Sequence, residues 1–217
     1  MEDRRRILEM VREGVLSPEE ALELLAVLED REEGRAEEGL TPPLVRLVAQ
    51  GAEVRVVGEK GLASHRAEGG EFRQEGEGYL LRLGLREKGR LWVPEGSPVH
   101  LEAKGSNLEL SRVALSGQAH GCNLEGEGIL GLDLGLVAGN LEAALLLREG
   151  THRLDLKASN AELRFLPPSD LLLEVGERLS SVKVGGALAR VPGGYRLGEG
   201  RAVLRVRAFA GNLEVEA

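Results

Sequence analysis

The sequence predicts a mainly β protein: a β-solenoid-like body of short repeated strands, preceded by a small N-terminal helical hairpin. Three observations lead there. A small residue followed by Asn, an apolar residue and Glu recurs as GSNLEL (105–110), GCNLEG (121–126), AGNLEA (138–143), ASNAEL (158–163) and AGNLEV (210–215). Between these copies, apolar and polar residues alternate with period two, as strands with one buried face do. Thirty glycines accompany only 3% aromatic residues in 217 positions, which implies an aliphatic core and many tight turns.

The N-terminal segment, 1–30, carries the helical signals. Residues 3–13 are rich in helix formers, with Ile7, Leu8, Met10 and Val11 on one apolar face, and Gly14 supplies a C-terminal stop. SPEEALELLAVLE follows, with Ser17 as N-cap, Pro18 at the first helical position and Glu20 three residues after the cap. Leu22, Leu25 and Leu28 lie on the apolar face of this second helix. Two helices of about three turns bury too little to stand alone. Ile7, Leu8, Val11, Leu22, Leu25 and Leu28 are therefore a candidate surface for docking on the body, on a second copy or on another protein. Residues 31–43 are charged, contain glycine and end in two prolines, as a linker does.

From residue 44 to 217 the period is two. Val54 and Val56 flank Arg55, and LLRLGLREKGRLWVPEG reads as two strands joined at a turn over 87–89. In ILGLDLGLVAG, Leu130, Leu132, Leu134 and Leu136 share one face. Leu154 and Leu156, then Leu204, Val206 and Ala208, repeat the pattern with charged residues between them.

The repeated asparagines are Asn107, Asn123, Asn140, Asn160 and Asn212, with gaps of 16, 17, 20 and 52 residues. A gap near 17 suits one coil of two or three short strands, and 52 has room for three such coils. Asn tolerates the left-handed backbone and satisfies turn amides, the small residue before it allows close stacking, and Leu and Glu point inward and outward. Stacked copies would form an Asn-lined corner. The competing arrangement is a set of hairpin turns in an antiparallel sandwich.

Charge is unevenly spread. Residues 1–39 hold 13 acidic and 6 basic residues, the remaining 178 hold 23 and 22. The basic, aromatic-studded face that nucleic acid requires is missing from this pattern, so no nucleic-acid partner is expected. The near-neutral body gives no reason to expect attraction to anionic lipids. Cys122 is the sole cysteine, so the fold does not depend on an oxidising compartment. With no signal-peptide pattern and no long apolar window, the expected location is the cytoplasm, without direct membrane insertion.

RRRILEMVREGVLSPEEALELLAVLE resembles the short SHOCT-like helical domain that begins YvlB/LiaX-type bacterial proteins. LWVPEGSPVHLEAKGSNLEL (91–110) is similar to the strand, VP turn and first small-Asn-Leu repeat of the putative-adhesin domain of unknown function that follows it there. The resemblance implies a non-enzymatic β-solenoid body linked to envelope stress, a membrane-protein partner of phage-shock type, and self-association or partner contacts through the SHOCT-like segment. It implies no catalytic residues and no cofactor.

Chemistry is sparse in the residues themselves. His120 and Cys122 stand two apart and could share a strand face, but zinc needs two further ligands. No G-x-S-x-G elbow or G-x-x-x-x-G-K-[ST] phosphate loop occurs. Glu109, Glu125, Glu142, Glu162 and Glu214 would stack into an acidic ridge. The expected function is a non-enzymatic scaffold or regulatory protein. A bactofilin-like, polymer-forming protein is the alternative, and an enzyme acting on cell-wall glycans the least favoured reading.

Overall fold

The computed structural model describes residues 42–176 and 181–217. The expected hairpin residues Ile7, Leu8, Val11, Leu22, Leu25 and Leu28 lie outside them. The body, Pro42–Ala217, is one compact unit.

The chain winds in coils, each made of one strand on a first face and one on a second. In chain order the strands are β1 (Val45–Gln50) and β2 (Glu53–Glu59), then β3 (Arg66–Glu68) and β4 (Glu71–Glu75), then β5 (Gly78–Leu83) and β6 (Lys88–Pro94). β7 (Pro98–Lys104) and β8 (Asn107–Ser111), β9 (Ala114–His120) and β10 (Asn123–Ile129), and β11 (Gly131–Val137) and β12 (Asn140–Leu145) form three further coils. β13 (Gly150–Phe165) runs unbroken round the corner as a whole coil. β14 (Leu171–Val175) and β15 (Ser181–Val184) make the next, the pair β16 (Ala189–Val191) and β17 (Gly194–Leu197) follows, and β18 (Ala202–Glu216) closes the chain as another continuous coil.

Strand registers give the spatial order. The first face reads β4, β5, β1, β7, β9, β11, β13, β18, β14, β17, β16. The second reads β3, β6, β2, β8, β10, β12, β13, β18, β15. All neighbours are parallel except those involving β3, β4, β16 and β17. Because β13 and β18 belong to both faces, the 18 strands of the described residues form one sheet wrapped almost closed around its core.

Period-two alternation decides which side chains fill that core. Leu132, Leu134 and Leu136 of β11 are buried, as are Leu154 and Leu156 of β13 and Leu204 and Val206 of β18. Each such aliphatic side chain contributes about 1.5–3 kcal/mol by leaving water. The inward rows from both faces merge into one cluster with few aromatic members. Leu130 sits half-buried at a corner instead of in the Leu132 row.

Two details differ from the sequence reading. The turn between β5 and β6 spans Gly84–Glu87, and Lys88 already belongs to β6. The 52-residue gap is a single step in space, since Asn212 pairs in register with Asn160. The intervening chain forms the β14–β15 coil and the β16–β17 pair beyond β18, and then returns. Consequently β18, although last in the sequence, lies between β13 and β14–β15.

The other end of the body mirrors this insertion. β1 and β2, first in the chain, lie between the β5–β6 coil and the β7–β8 coil. Beyond β5–β6, the arm β3–β4 runs backwards along the coil and covers both of its strands. Gly69 and Gly70 turn the arm's corner with φ of 79° and 70°. A side chain at Gly69 would overlap the Lys88 carbonyl oxygen, so the corner closes only with glycine there.

Candidate functional site: the asparagine corner and the glutamate ladder

Each coil passes from the first face to the second through the same bend. The residue two before Asn is left-handed: Gly105, Gly121, Ala138, Ala158 and Ala210 have φ between 49° and 61°. Gly51 and Arg86 take the same position in the first two coils, with φ of 62° and 64°. The sequence reading gave Asn credit for left-handed tolerance. Instead Asn is the first strand residue, and its side chain is free to stack.

Between the left-handed residue and Asn stands a small one that points into the core. Ser106, Cys122 and Ser159 are each at most 1% exposed. The serines satisfy backbone groups the bend leaves over: Ser106 Oγ accepts from the Ala52 amide at 3.1 Å and donates to Lys104 O at 3.0 Å. Ser159 Oγ accepts from the Gly139 amide at 3.2 Å. Buried hydroxyls are stable only when bonded in this way.

The five asparagines form a continuous ladder. Asn123 Nδ2 donates to Asn107 Oδ1 at 3.1 Å, Asn140 to Asn123 at 3.1 Å, Asn160 to Asn140 at 3.2 Å and Asn212 to Asn160 at 2.9 Å. Strand spacing of about 4.8 Å brings each amide within reach of the next. Ser181 continues the row at one end, and Glu53 and Lys88 continue it at the other, paired at 2.6 Å.

Two residues further along, the glutamates pair in the same register: Glu109, Glu125, Glu142, Glu162, Glu214. Neighbouring carboxylates at this spacing repel by roughly 0.8 kcal/mol in water. Cations close both ends. Arg55 bonds Glu109 through Nε at 2.7 Å, and Lys183 Nζ lies 3.7 Å from Glu214. Sequence reasoning found the glutamates but missed Arg55 and Lys183, which stand two residues after Glu53 and Ser181. Counting two positions on from each corner would have found them. Shallow polar grooves of about 740 and 640 Å³ run along this face, lined by the Asn and Glu rows.

His120 and Cys122 do not meet. Left-handed Gly121 breaks the alternation between them, so His120 is exposed while Cys122 is buried and its thiol faces His120 O at 3.3 Å. No cluster of three metal-ligating side chains forms among the described residues. Tyr79, Trp92 and Tyr195 stand on β5, β6 and β17, towards the ends of the body, whereas Phe209 on β18 is 62% exposed.

Two groups near the ends have shifted acidities. His65, stacked on Tyr79 at 4.4 Å, is held below its ordinary value by burial, against an opposing bond to Pro43. Asp170 is held below its ordinary value chiefly by the Arg201 amide, with the Gly200 amide and the Arg201 charge adding to it.

These features define a mainly β, coil-wound body whose polar surface is organised in rows. Residues 2–33 match the model of a SHOCT-like domain. The body resembles the crystal structure of a putative cell adhesion protein from Clostridium sporogenes ATCC 15579, with a TM-score of 0.53 at 9% identity, over 82% of this chain and 94% of that one. At that identity the likeness is one of fold. A search of curated proteins gives no match. The chain thus begins with a SHOCT-like domain and continues into a body with a putative-adhesin-type fold, and no described helix is long and apolar enough to cross a membrane.

Proposed function

We propose that the protein is a non-catalytic scaffold or regulator. Its SHOCT-like segment self-associates or docks on a partner, and its solenoid-like body is the rigid platform. The observation that carries this reading is the joining of a SHOCT-like domain, too small to bury a core of its own, to a body with the fold of a putative adhesion protein. The body's asparagine amides are spent on one another along the corner, which suits a structural surface better than a reactive one. The setting we propose is the bacterial envelope-stress response, with a membrane protein of phage-shock type as partner, the protein being cytoplasmic and reaching the membrane through that partner. No cofactor is invoked.

The bactofilin-like alternative is less well supported. End-to-end stacking needs open strands at both ends, and the reversed arm β3–β4 covers one of them. The deciding experiment is light scattering with size-exclusion chromatography on the full chain and on residues 42–217 across a range of concentrations. A defined oligomer that becomes a monomer on truncation supports the scaffold reading. An unchanged state with unchanged partner capture removes the role of the N-terminal segment, and a truncated body that polymerises restores the filament reading.

A further inference from the structure

The left-handed bend creates a third row, on the outer edge of the corner. The residue before the bend is the last outward residue of each first-face strand. Its register runs Gln50, Lys104, His120, Val137, Lys157, Phe209. Leu85 occupies the same position in the β5–β6 coil, next to Arg86, whose amide bonds Gly51 O at 2.8 Å. Among the described residues the row holds no acidic member, and it holds the two most exposed large apolar side chains. Leu85 is 76% exposed and Phe209 62%. They stand at opposite ends of its described part, six strand spacings apart, or about 29 Å.

Nearby carboxylates are already engaged. Glu87 accepts from the Gly84 amide at 2.6 Å, Glu102 pairs with Arg46 at 3.0 Å, and Asp155 faces Arg153 at 3.4 Å. Among the described residues, Lys104, Lys157 and Arg86 are left to give the edge its sign. Because the row follows the turns of the coils, it is a ridge and not a groove. A ridge with two apolar tips this far apart cannot enclose a helix or strand. It fits a soft plane that both tips enter while the lysines between them meet anionic groups.

We propose that this ridge is a peripheral contact for an anionic lipid bilayer, with Phe209 and Leu85 entering the interface and Lys104 and Lys157 meeting the headgroups. The site goes beyond the docking role proposed for the N-terminal segment and stands or falls without it. The near-neutral total charge of the body concealed it. Register sorts the charges, placing the Glu ladder on the second face and, on the edge, lysines that have no acidic partner among the described residues. The acidic N-terminal segment and the Glu ladder oppose the contact, so it is weak and sensitive to salt.

The test is co-sedimentation of the full chain with vesicles of phosphatidylglycerol and phosphatidylcholine in equal parts, against vesicles of phosphatidylcholine alone, at low and high ionic strength. The expected result is binding to the mixed vesicles only, lost at high salt. The pair Leu85→Ser and Phe209→Ser, and separately the pair Lys104→Glu and Lys157→Glu, each weaken it about tenfold or more. All four positions are exposed, so unchanged circular dichroism and melting certify the fold. Glu142→Gln, on the second face, does not weaken binding. The proposal is overturned if the full chain fails to pellet with mixed vesicles, if it pellets equally with phosphatidylcholine, or if the ridge variants bind as the parent does. Loss of a captured protein by ridge variants, with no vesicle binding by the parent, would likewise overturn it and assign the ridge to a protein partner.

Discussion

The middle of the body and its two ends are built from the same strands under different rules. From β7 to β13, chain order and spatial order coincide, and each coil adds an Asn, an inward apolar row and an outward Glu to those before it. At both ends the order is broken: the first coil in the chain is second in space, and β18 is inserted before β14–β15. A coil in the middle has a like neighbour on each side. An end coil has one, and its other edge must be covered by something else, here the arm β3–β4 or the pair β16–β17. The middle is therefore repetitive, and the ends are individual.

The largest test of this contrast is removal of residues 202–217. If β18 were a terminal coil, its loss would shorten the body by one step. As an inserted coil it takes Leu204, Val206, Leu213 and Val215 from the core and leaves β14–β15 without its parallel neighbour. Four such side chains amount to on the order of 6–12 kcal/mol, comparable with the whole stability of a domain. The shortened body is expected to lose its cooperative thermal transition by circular dichroism. A retained transition at the parent temperature would mean that β18 is peripheral.

Glycine substitutions sharpen the contrast at lower cost. Gly69→Val puts a branched side chain at φ 79° against the Lys88 carbonyl, and is expected to destabilise by about 1–3 kcal/mol. It should also release the arm, raising amide exchange in β5 and β6. Gly121→Ala in a central coil has φ 61° with open space around it. Alanine already holds this backbone at positions 138, 158 and 210, so a cost of about 1 kcal/mol or less is expected. Equal costs in urea titration would show that the end corner is no more constrained than the middle.

The same division explains what the sequence disclosed. In the middle, a repeated Asn and strict alternation correctly predict strands, an inward row at Leu132–Leu136, and stacked asparagines. The ends were illegible for a physical reason. Insertion of a strand depends on which edges lie open beside it, and no local pattern near Asn212 records that it meets Asn160 directly while the chain between them folds beyond β18. The left-handed residue was misassigned because composition makes Asn the expected candidate, whereas Ala138, Ala158 and Ala210 are held there by the coils above and below them. The outer ridge was missed because its residues share a position and no chemistry: lysine, histidine, valine and phenylalanine form a row only after the register is known.

The ladders separate a cohesive row from a strained one. Asn140→Ala removes two side-chain bonds, to Asn123 and from Asn160. A loss of about 1 kcal/mol is expected, since the row is exposed and water replaces part of each bond. Glu142→Gln, two residues on, relieves repulsion from Glu125 and Glu162 without changing shape, and should stabilise by a few tenths of a kcal/mol at low salt and by less at high salt. A destabilising result would mean that the ladder's charge is compensated by a cation in solution.

The smallest effects distinguish the two ends by pH. His65, in the loop before β3, has a folded pKa below its ordinary value of 6.5 because burial disfavours its charged form. The unfolded chain therefore takes up the proton first, so this end loses stability as pH falls through about 6.5 and levels off below the folded value. Asp170, before β14, has a folded pKa below its ordinary 3.8 because the Arg201 and Gly200 amides and the Arg201 charge favour its anion. Its contribution is complete above the ordinary value and is lost as pH falls through the lower folded one. Amide exchange resolved by residue should show β4 and β5 loosening in the first window and the turn before β18 only in the second. His65→Gln should flatten the first response and Asp170→Asn the second. If both ends loosened together at a single pH, the body would open as one unit, and the independence of its ends would be confined to its architecture.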